Sequence, residues 1–277
     1  MIRRHQASLL AVIGIVAAAL LAPAPVGARV ALPSSIASTG DSLTRAAGTG
    51  FLPWTDNPAG SWSTGTDTSV NSHYLRLLSL NPKIRGRNYN DARSGAKMGE
   101  LSTQVGSVIS QKAQYMTVEL GGNDVCADNE AAMTSVADYG AQFRAGLDRA
   151  TGGLPNIKVF VASVPNIYHL WELYHDDLAA QAAWFTFGVC QSMLANPTST
   201  AQADVDRRAR VTQRIRDDND ALASICAQYR QCLFDGLAAF NANFTKDDVG
   251  HFDYFHPSLA GQAKFSAGTW AVGYWAP

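Results

Sequence analysis

Five short stretches that read as strands, each leading into a loop or turn and separated from the next by other elements, constrain this chain more than any other feature. They fall at 34–39, 84–90, 115–120, 157–164 and 232–234. The fourth is the clearest strand pattern, with Ile157, Val159, Val161 and Val164 ahead of the breaker Pro165. Helical spacing of apolar residues predicts helices over 71–80, 101–112, 135–150, 204–229 and 258–272. Leu101, Val105, Val108 and Ile109 share a face of the second, and Val211, Ile215, Leu222, Ile225 and Tyr229 a face of the fourth. Residues 45–68, punctuated by Gly48, Gly50, Pro58, Gly60 and Gly65, read as loop, and 166–200 as an aromatic, irregular segment. Strand and helix in alternation predict an α/β fold whose parallel sheet is covered by helices on both faces. Ligand crevices in such sheets lie beyond the carboxyl ends of the strands. The loops there carry Ser42, Gly95 and Asn123.

The N-terminus has a different character. Arg3, Arg4 and His5 precede an unbroken run of small and aliphatic residues over 9–22, then Pro23, Pro25 and the small residues Gly27 and Ala28. This is the layout of a secretory signal peptide, with cleavage expected after Ala28. The run is shorter than the ~20 residues that span a bilayer, so no stable membrane span is expected after its removal. Residues 29–277 are expected to form a single domain, because no Pro/Ser-rich linker or charge run divides them. The 22 Lys+Arg and 23 Asp+Glu are not segregated, and no basic stripe argues for nucleic acid. Cys126, Cys190, Cys226 and Cys232 are an even set in a chain expected to be exported, hence two disulfides with three possible pairings. Cys226 and Cys232 close a short loop that pairs easily, which leaves Cys126 to join Cys190. Neither a Cys-x-x-Cys pair nor His-Glu-x-x-His occurs, so neither metal nor cofactor is expected.

Three local patterns carry chemistry. Gly40-Asp41-Ser42-Leu43 follows the first strand, where a serine can project its hydroxyl into the crevice, though such a residue more commonly caps a helix. Asp253-Tyr254-Phe255-His256-Pro257 offers a base for that weak nucleophile, with an aspartate three residues back to fix the imidazole tautomer. His73, His169, His175 and His251 lack that setting. Gly121-Gly122-Asn123-Asp124 is strongly turn-forming, and its carboxamide and backbone N–H groups can donate to an oxyanion. The Gly-x-Ser-x-Gly pentapeptide of α/β-hydrolases is absent.

In this order the blocks resemble the GDSL or SGNH hydrolases, and the likeness covers nearly all of the chain beyond the leader. The resemblance is to secreted bacterial lipase/esterase members. It implies a flavodoxin-like three-layer α/β/α sandwich with a parallel five-stranded sheet. It also implies Ser42 as nucleophile, His256 and Asp253 completing a triad, and an oxyanion hole from the Ser42 and Gly95 N–H groups and the Asn123 side chain. Asp41 and Asp124 are expected to brace their loops. The expected function is that of a secreted, monomeric esterase or lipase acting on small-molecule or lipid esters. The alternatives are a carbohydrate O-acetyl esterase on the same scaffold and a catalytically silent binding protein. Trp54, Trp62, Tyr168, Trp171, Tyr174, Trp184, Phe185 and Phe187 are candidates to line an acyl pocket or stack on sugar faces.

Overall fold

The first strand is buried at every residue, which only a central strand covered on both faces can be. The computed structural model describes residues 30–52 and 54–276, so the leader expected at 1–28 lies outside the described residues. In chain order the elements are β1 (Ile36–Gly40), α1 (His73–Leu80), β2 (Asn88–Asn90), α2 (Leu101–Ser110), β3 (Tyr115–Glu119) and the single turn α3 (Gly122–Val125). There follow α4 (Val136–Gly153), β4 (Lys158–Val161), α5 (Ile167–Tyr174), α6 (Leu178–Thr186), α7 (Gln191–Leu194), α8 (Gln202–Cys226), β5 (Cys232–Phe234) and α9 (Leu259–Ala271). Serine side chains set the starts of three helices. Ser72, Ser135 and Ser258 accept the backbone N–H groups of Leu75, Asp138 and Gly261.

Among the described residues the sheet has five strands, all parallel, in the order β2-β1-β3-β4-β5. The order reverses direction between β1 and β3, and doubly wound sheets open their ligand crevice at such a point. Successive strand residues face opposite layers. Ala37, Met116, Val118, Val159 and Val161 pack with α2, α4 and α8. Ile36, Tyr115 and Phe160 pack with α1 and α9 on the other face. The result is the three-layer α/β/α sandwich.

Three segments differ from the sequence reading. Residues 167–194 form three short helices rather than an irregular stretch. Ile167 and Tyr174 turn inward from α5, and Asp177 caps α6 by accepting from the N–H groups of Ala179 and Ala180. The fourth strand ends at Val161 because side chains replace its ladder: Asp235 takes the Ser163 N–H and Asn219 the Val164 N–H. The second strand covers only Asn88–Asn90 of the expected 84–90, because Pro82–Ile84 make a 3-10 turn capped by Asn81; the loop expected at 45–68 begins in tight turns, with Ala46 at φ 48°.

The α1/α9 layer encloses His73, which is fully buried between the Tyr115 hydroxyl at 3.0 Å and Thr269 Oγ1 at 2.9 Å. Burial, reinforced by the charge of Arg76, pushes its pKa down to about 3 from 6.5. Because the folded value lies below the unfolded one, the unfolded chain takes up the extra proton, and stability falls as pH drops below 6.5. The difference in unfolding free energy between the protein and a His73→Leu variant should therefore change by about 1.4 kcal/mol per pH unit between roughly pH 6 and 4. Urea unfolding across that range checks this, and a pH-independent difference would contradict a neutral His73.

Candidate active site

Ser42 stands two residues past the end of β1, and its Oγ lies 2.8 Å from His256 Nε2. On the other side of the ring, Nδ1 is 2.6 Å from Asp253 Oδ2. With the proton on Nδ1 donated to the carboxylate, Nε2 is left to accept the serine O–H. The other carboxylate oxygen, Asp253 Oδ1, accepts the backbone N–H groups of Phe255 at 2.9 Å and His256 at 3.0 Å. Burial pushes the Asp253 carboxyl up, but the hydrogen bonds and charge of His256 outweigh it and hold the carboxyl below the usual carboxylate range. The turn is pinned from outside as well. Gly250 N–H donates to the His256 carbonyl, Trp184 Nε1 donates to the Tyr254 carbonyl, and Val249 bridges Pro257.

Gly95 and Asn123 meet Ser42 from the loops after β2 and β3, and all three line one cleft with His256. Among the described residues the backbone N–H groups of Ser42 and Gly95 have no hydrogen-bond partner, so both are free to serve a ligand. Gly95 adopts φ +81°, a region that disfavours a side chain. Asn123 differs, because its carboxamide N–H2 is engaged at 3.1 Å with both Asp41 Oδ2 and the Ala96 carbonyl. A ligand oxygen in the cleft would have to compete for one of those hydrogens. Asp41 also accepts the Leu43 N–H at 2.9 Å, and Asp124 accepts the Met98 N–H at 2.8 Å.

Two clefts meet at Ser42 and His256. One runs beneath α5 and is walled by Ile167, Leu170, Leu173, Phe244 and Val249. The other is bordered by Trp54, Ser94, Gly188 and Val189 and by the Cys126–Cys190 disulfide, which joins the end of α3 to the start of α7. The second disulfide, Cys226–Cys232, ties the end of α8 to β5. Of the aromatic candidates, Trp62, Tyr174 and Trp184 belong to the core, and Tyr168 and Trp171 pack against it half-buried. Phe185 is exposed, while Trp54 and Phe187 are partly exposed and meet Phe252 edge-on or stacked, with ring centroids 4.9 to 5.7 Å apart.

Several polar residues of this region escaped the sequence reading. Gln104 of α2 closes the end of β1 by bonding both the N–H and the carbonyl of Gly40. Gln262 of α9 bridges the Trp62 N–H and the Leu43 carbonyl across 200 residues or more. Glu119, the last residue of β3, is buried and lines the same cleft as Ser42. An acidic residue closing an otherwise apolar strand was the available signal for it.

The profile of the GDSL-like Lipase/Acylhydrolase family matches residues 39–264, a span that includes every residue of this site. The chain belongs to that family. A 174-residue stretch is 28% identical to mouse (Mus musculus) "Phospholipase B1, membrane-associated", covering 51% of this chain and only 12% of the mouse protein. Similar solved structures include a family 3 carbohydrate esterase of Clostridium thermocellum, at 15% identity and a TM-score of 0.49 over 86% of this chain and 92% of that one. An extracellular lipase of Streptomyces rimosus is similar at 18% identity and a TM-score of 0.47, over 83% of this chain and 95% of that one.

The loop that carries Asn123 in this GDSL-family site turns on Gly121, at φ +136°. A Cβ there would lie 2.4 Å from Val164 Cγ2 and 2.8 Å from the Tyr139 hydroxyl, which is itself bonded to the Leu120 carbonyl. Gly121→Ala should therefore cost about 2–4 kcal/mol in chemical unfolding and displace Asn123, lowering hydrolytic activity. A variant with unchanged midpoint and rate would contradict this geometry.

Proposed function

We propose that this protein is a secreted serine esterase of the lipase type, hydrolysing carboxylic esters with apolar acyl groups. The observation that carries the reading is the unbroken relay from Asp253 through His256 to Ser42 at the junction of the two clefts. His256 Nε2 takes the proton as Ser42 Oγ attacks the ester carbonyl. The oxyanion is received by the Ser42 and Gly95 N–H groups, with the Asn123 carboxamide turning one hydrogen to it. His256 then protonates the leaving alcohol and activates the water that releases the acid. No step needs a metal ion or a cofactor.

The apolar wall beneath α5 favours an acyl chain there, where each buried methylene contributes about 0.8 kcal/mol. Secretion is supported by the leader pattern at 1–28 and by two disulfides. Among the described residues no helix is long and apolar enough to cross a membrane. We further propose that the enzyme works as a monomer. A second reading, carbohydrate O-acetyl esterase, draws on the rings of Trp54, Phe187 and Phe252 beside the more polar cleft, since exposed aromatic faces stack on sugars. A silent binding protein would have no use for so complete a relay.

Ser42→Ala and His256→Ala should each abolish ester hydrolysis with unchanged far-UV circular dichroism, by ~10⁶ where the groups act as a unit. Asn123→Ala should fall by roughly 10² to 10³, because two backbone donors remain. A Ser42→Ala protein retaining several per cent of turnover would defeat the proposal. Among p-nitrophenyl esters, kcat/KM should rise over the first few acyl carbons and then level off, and EDTA should leave it unchanged. Much faster release of acetate from acetylated xylan than from any alkanoate would favour the carbohydrate reading.

A further inference from the structure

Behind the nucleophile lies a row of buried polar groups that the reaction itself does not consume. The Trp62 indole N–H donates to Thr44 Oγ1 at 3.2 Å, and the Thr44 hydroxyl donates to Glu119 Oε2 at 3.3 Å. Glu119 and the Asp41 carboxyl share this buried row, and each shifts the titration of the other. Asp41 accepts the Asn123 carboxamide at 3.1 Å. Asp41 and Glu119 are 4% and 1% exposed, so these two acids are buried together and a second charge on the pair is disfavoured. Gly40 and Glu119 are opposite one another in the β1/β3 register, so the encounter of the two acids is built into the sheet.

We propose that Glu119 is a positioning residue of this site, acting through Asp41 to orient the Asn123 carboxamide that receives the oxyanion. The proposal rests on the ester-hydrolysis reading above. A bare Asp41 carboxylate would hold the Asn123 N–H strongly and would set a full negative charge beside the developing oxyanion. A Glu119 O–H donated to Asp41 draws off part of that charge, as does the Leu43 N–H. Asn123 then keeps its orientation through Asp41, and its other hydrogen, which rests on the Ala96 carbonyl, can turn to the substrate oxygen. Burial, reinforced by the Asp41 charge, pushes the Glu119 carboxyl well above its ordinary value, which keeps the donor proton on Glu119. Burial also raises Asp41, to about 6, against the lowering pull of Leu43, His256 and Glu119.

The chemistry separates donor from charge. Glu119→Gln keeps a donor for Asp41 and an acceptor for Thr44, whereas Glu119→Met fills the space with neither. With p-nitrophenyl butyrate, kcat of the Met variant should fall about tenfold or more with KM within twofold, while the Gln variant stays within about threefold of the parent. In an Asn123→Ala background, Glu119→Met should add less than a twofold loss, because the two act as one unit. Should the Met variant not fold, Glu119→Thr, too short to reach Asp41, takes its place in the same cycle. An unchanged kcat in the Met or Thr variant, a Gln variant as impaired as they are, or fully multiplicative losses with Asn123→Ala would overturn the proposal. An active Ser42→Ala protein would instead overturn the underlying reading, whatever Glu119 does.

Discussion

The side-by-side register of β1 and β3, with Gly40 opposite Glu119, is the constraint on which the site depends. Both strands are buried along their length, so neither can slip by a residue without exchanging the side chains fitted to the two helical layers. That register sets Ser42 two residues beyond one strand and Asn123 four residues beyond the other. The crossover between the strands runs through β2 and α2, which leaves the crevice open above their carboxyl ends. Gln104 seals the gap below by bonding both backbone groups of Gly40. The histidine arrives from a distant part of the chain, yet its placement is local, because Asp253 three residues earlier binds both its ring and its backbone.

Electrostatics follows from that packing. Asp253 is buried but surrounded by donors, so it remains an anion that can hold an imidazolium. Asp41 and Glu119 are buried with each other and with fewer donors, so they are pushed toward the neutral form. Three carboxyl groups around one serine thus have opposite tendencies, set by hydrogen bonding rather than by residue type. The apolar cleft beneath α5 adds a low-dielectric wall to one side of the relay. A charge developing at the junction of the two clefts is therefore answered by fixed dipoles more than by water.

The strands, the α4, α8 and α9 helices and the Ser42, Asn123 and His256 positions were legible because their signals are local. Apolar periodicity fits within one element, and each motif fits within five residues. Gly95 was placed by its loop alone, with Gly86 and Gly99 close by, and its free N–H beside Ser42 is a tertiary fact. Residues 167–194 escaped because aromatic side chains face both the core and the surface there, blurring the helical period that Ile167 and Tyr174 still keep. Gln104, Gln262 and Glu119 were silent for another reason. Their partners lie 64 or more residues away, and a polar residue in an apolar run does not announce what it will meet.

Covalent trapping of the nucleophile tests the central claim most directly. The protein is treated with a p-nitrophenyl alkylphosphonate, and the adduct is located by peptide mass mapping while residual ester hydrolysis is followed. One phosphonyl group per chain should appear on Ser42, in step with the loss of activity, and labelling should nearly cease in a folded His256→Ala variant. Inactivation with the label on another residue, or hydrolysis that survives full modification of Ser42, would contradict the account.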